Sequence, residues 1–198
     1  MITVITKGFS DIPLCKKEIL RYAGCREADE GVTALLCESL EEALPRMSYK
    51  VCYCVLPVKI RDAVCDFDIF SVKSEKLAKN LEGCASVIVF AATVGIEVDR
   101  LITKYGRLSP SRALMMQAIG AERIEALCDS FCAEFEQECR VKLKPRFSAG
   151  YGDCPLSIQE DIFSLLNCQK RIGLYLNDSL LMSPTKSVTA FVGIKEKK

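Results

Sequence analysis

The most apolar strand candidate in the chain reads Ser86-Val87-Ile88-Val89-Phe90-Ala91-Ala92-Thr93-Val94-Gly95. A continuous run of apolar and β-branched residues of this length is typical of a strand that is covered on both faces. We therefore expect this strand to lie at the centre of the sheet. Gly95 ends the run and is expected to open the next helix.

Weaker patterns flank this stretch on both sides. Segments rich in β-branched and aromatic residues predict strands at residues 2–6, 49–56, 69–72, 172–176 and 187–194. Helical periodicity predicts helices at residues 12–23, 29–45, around 77–81, 95–105, 112–140 and 155–166. Asp29 is the expected N-cap of the second helix, and Pro45 its expected end.

The order of these elements predicts an α+β fold, in which a twisted antiparallel or mixed sheet is flanked by helices. We expect one domain over residues 1–198, with a helical N-terminal part at 1–46 and a sheet and loop part at 47–198. A doubly wound parallel sheet is the alternative.

Composition excludes several classes of function. Of 198 residues, 49% are hydrophobic, which is enough for a substantial core, and 27 basic against 26 acidic residues leave a net charge of +1. No charge excess points to nucleic acid or to an anionic membrane surface as a partner. No apolar run is long enough to span a bilayer, and the short apolar N-terminus does not resemble a secretory signal. Twelve cysteines suit a reducing compartment, so we expect a cytoplasmic protein.

The residues available for chemistry are limited, because the sequence contains no histidine. Histidine-based triads, histidine general bases and histidine-containing metal sites are therefore excluded from these residues. Cys128, Cys132 and Cys139 could share one helix face, but no Cys-x-x-Cys turn accompanies them, and we predict no bound metal. Neither a dinucleotide fingerprint nor a phosphate-binding loop is present, which disfavours hydride transfer and nucleotide hydrolysis.

One loop has the composition of a binding site: Arg146-Phe147-Ser148-Ala149-Gly150-Tyr151-Gly152-Asp153-Cys154-Pro155. Its glycines allow unusual backbone angles and close approach of a ligand, while Arg146 offers a planar set of donors to a carboxylate or phosphate. Tyr151 adds a ring face for a heterocycle or an organic cation. A simple turn between two elements is the alternative interpretation of these residues.

Four segments together resemble the activation domain of vitamin B12-dependent methionine synthase, and more closely its form as a separate activation subunit: residues 91–99, 117–129, 146–155 and 182–188. The pattern Arg-x-x-x-Gly-Tyr, here residues 146–151, is the S-adenosylmethionine signature of that family. The resemblance implies a C-shaped α+β domain that binds S-adenosylmethionine in a shallow groove facing the cobalamin of a partner. There, a methyl group from S-adenosylmethionine and one electron from a flavodoxin-like donor restore methylcobalamin from its inactive Co(II) form.

The resemblance also implies roles for individual residues. Arg146 would hold the methionine carboxylate or fix the loop, and backbone groups at Ser148 and Gly150 would hydrogen-bond the ligand. Tyr151 would pack against the ligand or the corrin ring, and Asp129 matches an acidic residue that faces the ligand's positive end. Ala149 stands where the family often has proline, so the loop should be less preorganised.

The implied partners are a cobalamin-binding methionine synthase subunit, which supplies the cobalamin, and a flavodoxin-like electron donor. The chain would thus serve a methyltransferase system and would not act alone. Since the sequence ends soon after Ile194, an aromatic contact from a C-terminal extension is expected to be missing and binding to be weak. Two alternatives stay open: a non-catalytic interaction module for a corrinoid protein, and an activator of a different corrinoid methyltransferase.

Overall fold

The computed structural model describes residues 2–25 and 27–195. Seven α-helices occur in this part of the chain: α1 (Lys16–Tyr22), α2 (Glu30–Ala43), α3 (Glu75–Leu81), α4 (Glu97–Leu108), α5 (Pro110–Cys139), α6 (Ile158–Leu166) and α7 (Cys168–Ile172). The strands are β1 (Ile5–Phe9), β2 (Tyr49–Pro57), β3 (Lys59–Arg61), β4 (Val64–Asp66), β5 (Ser71–Lys73), β6 (Cys84–Thr93), β7 (Lys142–Leu143), β8 (Tyr175–Leu176), β9 (Met182–Ser183) and β10 (Ser187–Lys195).

The main sheet has five strands in the order β1-β2-β6-β10-β7, and every neighbouring pair is antiparallel. Strand β6 occupies its centre, and residues 87–92 are fully buried, as the apolar run predicts. The predicted α+β class is confirmed, and the alternative of a doubly wound parallel sheet is wrong.

Each face of the sheet has its own core, because successive side chains of β6 point to opposite sides. Ile88, Phe90 and Ala92 pack against the second half of α5, which supplies Phe131 and Phe135. The neighbours Val87, Val89 and Ala91 face a second cluster, to which α3, α6, α7 and the small sheet β3-β4-β5 contribute.

A third cluster joins α1, α2, α4 and the first half of α5. Helix α2 begins as predicted, since the Asp29 carboxylate accepts a hydrogen bond of 2.8 Å from the backbone N–H of Val32. Strand β1 comes from the same N-terminal region but pairs with β2. The assignment of residues 1–198 to one domain, with a helical part at 1–46 and a sheet and loop part at 47–198, stays a prediction.

The strands predicted at residues 172–176 and 2–6 differ from the structure. The strand predicted at residues 172–176 is wrong in its first half, because α7 continues to Ile172 and ends at Gly173, whose φ is +69°. The first strand lies at Ile5–Phe9, not at residues 2–6, since pairing with Tyr49–Tyr53 fixes its register. In the part of the chain described, none of the helices combines the length and apolar character needed to cross a membrane.

Candidate functional site

The segment after β7 runs beside β10 and brings Arg146 to the sheet edge. Lys144 donates its backbone N–H to the Gly193 carbonyl at 2.8 Å, and Phe147 exchanges two backbone hydrogen bonds with Phe191, at 2.9 and 2.8 Å. In such an extended segment neighbouring side chains point to opposite faces. Phe147 therefore enters the core beside α6, while Arg146 turns towards α5.

The Arg146 guanidinium is held by two carboxylates of α5. It donates to Glu125 Oε2 at 2.7 Å and to Asp129 Oδ1. Glu125 and Asp129 lie four residues apart and so share one helix face. Burial alone would lower the pKa of Arg146, but hydrogen bonding to Asp129 and the charges of both carboxylates raise it. The cation is therefore permanent, and its position is fixed.

Two thiols lie beneath this ion pair. Cys128 is fully buried, and burial raises the pKa of both Cys128 and Cys132 above the usual range of a thiol. Both remain protonated at neutral pH and are poor nucleophiles. Among the residues described, no group of three histidine, cysteine, aspartate or glutamate side chains is arranged to hold a metal ion.

Two cavities open on either side of the Arg146 ion pairs. One, of about 540 Å³, is lined by Glu125, Cys132, Lys144, Pro145, Arg146, Ser148 and Val188. The other, of about 400 Å³, lies between α5 and the segment leading into α1, and its lining includes the carboxylates of Glu18, Glu122, Glu125 and Asp129. Basic groups thus dominate one cavity and acidic groups the other, and Glu125 borders both.

Beyond Phe147 the outer side of β10 is paired with no further strand among the described residues, although Thr189 is itself almost fully buried. Hydrogen-bonding directions alternate along an antiparallel strand, so the backbone groups of Thr189 point to the same outer side as those of Phe191. Within the described residues no strand pairs with Thr189 on that side.

The loop itself turns away from the sheet at Ser148, whose carbonyl accepts from the Tyr151 N–H at 3.2 Å. Gly150 and Gly152 have φ of +79° and +66°, the left-handed region that favours glycine. The Tyr151 side chain is 66% exposed, and its ring meets Phe147 edge-on at a centroid distance of 5.5 Å.

The structure thus brings together only some of the residues singled out from the sequence. Arg146 and Ser148 line the 540 Å³ cavity and Asp129 lines the 400 Å³ cavity. Ala149, Gly150 and Tyr151 lie on the following turn and line neither of them. Sequence reasoning missed Glu125 and Lys144. Both were open to detection, because Glu125 is one helical turn from Asp129 and Lys144 is two residues from Arg146 in an extended segment.

Comparison with known proteins matches the chain to one family model and to several solved structures. The family model described as "Vitamin B12 dependent methionine synthase, activation domain" matches residues 74–198. The chain is also similar to a solved structure, "Crystal Structure of the MetH Reactivation Domain bound to AdoHcy", with a TM-score of 0.69 and 16% identity. That similarity covers 100% of this chain and 80% of the other, and at this identity it shows the fold alone. None of the curated proteins matches the chain.

Proposed function

This chain belongs to the activation-domain family of vitamin B12-dependent methionine synthase, and from that premise we propose that it is an S-adenosylmethionine-binding reactivation subunit. It supports reductive methylation of cob(II)alamin on a separate B12-dependent methionine synthase polypeptide. The observation that carries this proposal is the guanidinium of Arg146, fixed between Glu125 and Asp129 beside the 540 Å³ cavity.

The charges of the site fit this ligand. The methionine portion of S-adenosylmethionine carries a carboxylate, an ammonium group and a positively charged sulfonium. Arg146 and Lys144 line the 540 Å³ cavity and suit the carboxylate. Glu125 lines the same cavity and suits a cationic group, and Asp129, which lines the other cavity, adds negative charge next to Arg146. A volume of about 540 Å³ lies within the roughly 300–1,000 Å³ of small-molecule sites.

The task of this chain in the reaction is to position S-adenosylmethionine. Bound S-adenosylmethionine supplies a methyl group activated by the sulfonium. The chain's own residues hold the methionine portion, aim the methyl group outward and stabilise charge, and none of these tasks moves a proton. A site without histidine can perform them.

The cobalamin has to be carried elsewhere. These residues contain no histidine and so no Asp-x-His-x-x-Gly signature for cobalamin. We place the docking surface for the cobalamin-bearing polypeptide around Tyr151, because its side chain is 66% exposed next to the candidate site. The one electron that reductive methylation also requires would come from a flavodoxin-like donor.

The first test is titration calorimetry with S-adenosylmethionine. Replacing Arg146 by alanine removes a charge-assisted contact and leaves Glu125 and Asp129 without their cation, so affinity should fall by about tenfold or more. Arg100→Ala is the matched control, because Arg100 forms an ion pair with Glu97 on the exposed face of α4. Equal affinities for the wild type and Arg146→Ala contradict the assignment.

The second test concerns the partner. A methionine synthase without its own activation domain, held as cob(II)alamin, is mixed with the chain, S-adenosylmethionine and a one-electron donor. Recovery of methyl transfer that depends on this chain and on S-adenosylmethionine supports the proposal. Association without any requirement for S-adenosylmethionine would favour a non-catalytic module, and activity only with another corrinoid methyltransferase would reassign the partner.

A further inference from the structure

Asp153 ties the distal end of the binding loop to a different part of the molecule. Its carboxylate accepts from the Ser74 hydroxyl at 2.6 Å, from the Glu75 N–H at 2.6 Å and from the Lys76 N–H at 3.3 Å. These groups lie 77 to 79 residues away in sequence, at the beginning of α3. A single side chain therefore links the loop to the start of α3.

Ser74 makes this link rigid. Its side chain is almost completely buried, and its hydroxyl oxygen also accepts from the Leu77 N–H at 3.0 Å, which caps α3. The hydroxyl thus donates to Asp153 while it accepts from the helix. The hydrogen bond from Ser74, followed by those from the two backbone N–H groups, holds the pKa of Asp153 below the usual range of an aspartate.

The link continues back through the loop to the candidate site. The Cys154 N–H donates to the Tyr151 carbonyl at 3.1 Å, and the Tyr151 N–H donates to the Ser148 carbonyl at 3.2 Å. The stem of Lys76 lies over Gly152, where an added Cβ would come within 2.5 Å of Lys76 Cδ. Cys154 is buried in the core beside α6.

The other end of the loop is fixed by Phe147, which pairs with β10. Between the two ends, the exposed Tyr151 ring contacts the edge of the Phe147 ring. The orientation of Ser148 and Tyr151 consequently depends on how well both ends of the loop are held.

We propose that Asp153 is the positioning residue of the binding loop: it holds residues 148–152 in place by anchoring them to the start of α3, without itself touching the ligand. The effect on ligand affinity rests on the proposed S-adenosylmethionine site, whereas the effect on the loop does not.

Hydrogen exchange of the Tyr151 and Cys154 amides in the free protein tests the anchor directly. Asp153→Ala should accelerate exchange at both amides by about tenfold, since three hydrogen bonds to a charged acceptor are lost. Asp153→Asn retains one acceptor oxygen and should give an intermediate rate. Asp29→Ala is the control, because it removes a carboxylate that accepts a backbone N–H at the beginning of α2 and should leave both amides unchanged.

Calorimetry with S-adenosylmethionine then tests positioning. We expect affinity to fall about fivefold in Asp153→Ala, to recover partly in Asp153→Asn and to stay at the wild-type value in Asp29→Ala. Unchanged exchange in Asp153→Ala, or equal acceleration in Asp29→Ala, overturns the anchor. Faster exchange with unchanged affinity overturns the positioning role. If the wild type itself binds no S-adenosylmethionine, the proposed function fails while the exchange data still decide the anchor.

Discussion

At the scale of single residues, Arg146 is already neutralised by its own chain. Glu125 and Asp129 both accept hydrogen bonds from its guanidinium, so a ligand carboxylate has to compete with them or share the cation. Lys144 borders the same cavity and forms no ion pair with the residues described. We therefore expect Lys144 to supply part of the charge that the ligand carboxylate meets.

Asp129 should distinguish S-adenosylmethionine from S-adenosylhomocysteine. The first carries a positive sulfonium and the second a neutral thioether, and an exposed carboxylate favours a nearby cation by up to about 1 kcal/mol. Asp129→Asn should therefore weaken S-adenosylmethionine about fivefold and leave S-adenosylhomocysteine nearly unchanged.

The measurement is a pair of calorimetric titrations for each protein. Asp99→Asn is a suitable control, because Asp99 is an acidic residue in the first turn of α4 that accepts hydrogen bonds from Thr185 and lines neither cavity. A parallel loss for both ligands would show that Asp129 acts only by holding Arg146.

The candidate site could be predicted from the sequence only in part. Arg146 and Ser148 were accessible through their place in a glycine-containing loop, and Asp129 was accessible only through the family resemblance. The contact of Arg146 with two carboxylates depends on how α5 crosses the sheet, which no local pattern encodes. The same holds for Asp153, whose partners at 74–76 are distant in sequence.

At the scale of elements, the contact between α4 and α5 requires glycine at one position. A Cβ at Gly120 would lie 2.9 Å from Val98 Cγ1 and from Lys186 Cγ. Gly120→Ala should therefore force the packed elements apart and lower the free energy of unfolding by about 1–3 kcal/mol.

Gly106 provides the comparison within α4. It is exposed, and a Cβ there meets nothing within 4 Å, so Gly106→Ala should raise the free energy of unfolding by about 0.5–1 kcal/mol through helix propensity. Urea unfolding of both variants measures the difference. Stabilisation by both substitutions would mean that α4 and α5 are not packed as closely as described.

Glu42 joins three helices through one carboxylate. It accepts from Tyr105 at 2.5 Å, from Lys104 at 3.1 Å and from Arg112 at 3.1 Å. The hydrogen bond from Tyr105 and, after it, the interactions with the cations Lys104 and Arg112 lower the pKa of Glu42 below its usual value of 4.5, despite partial burial. Because its pKa is lowered in the folded state, the ionised Glu42 contributes to the free energy of unfolding above pH 4.5. This contribution is lost as the pH falls through the folded-state pKa.

Glu42→Gln should therefore cost about 1–2 kcal/mol of unfolding free energy at pH 7. The difference from the wild type should shrink as the pH falls below 4.5. Urea unfolding between neutral and acid pH measures it. Glu38→Gln is the control, since Glu38 is on the same helix but its side chain is 63% exposed and its contact with Arg112 is 3.4 Å long. A constant difference across this pH range contradicts the role of the Glu42 charge.

At the scale of the whole molecule, the sequence specifies the elements that are long and strongly patterned. Strand β6 and helix α5 could be placed because their apolar residues follow one period over many positions. The strands β3 and β4 could not, because each has three residues and pairing alone defines them. The antiparallel order of the main sheet also depends on long-range pairing, and only its class was predictable.

The structural match to the reactivation domain extends over the whole of this chain and over 80% of the other chain. The loop at 146–155 lies inside the part that matches the family. The common fold therefore includes the candidate site.

A crystal structure of the chain with S-adenosylmethionine tests this account most directly. We predict the ligand in the cavity bordered by Lys144, Arg146, Ser148 and Val188, with its carboxylate towards the two cations and its sulfonium towards Glu125 and Asp129. S-adenosylmethionine bound at any other surface, or an empty cavity under conditions in which calorimetry shows saturation, would contradict it.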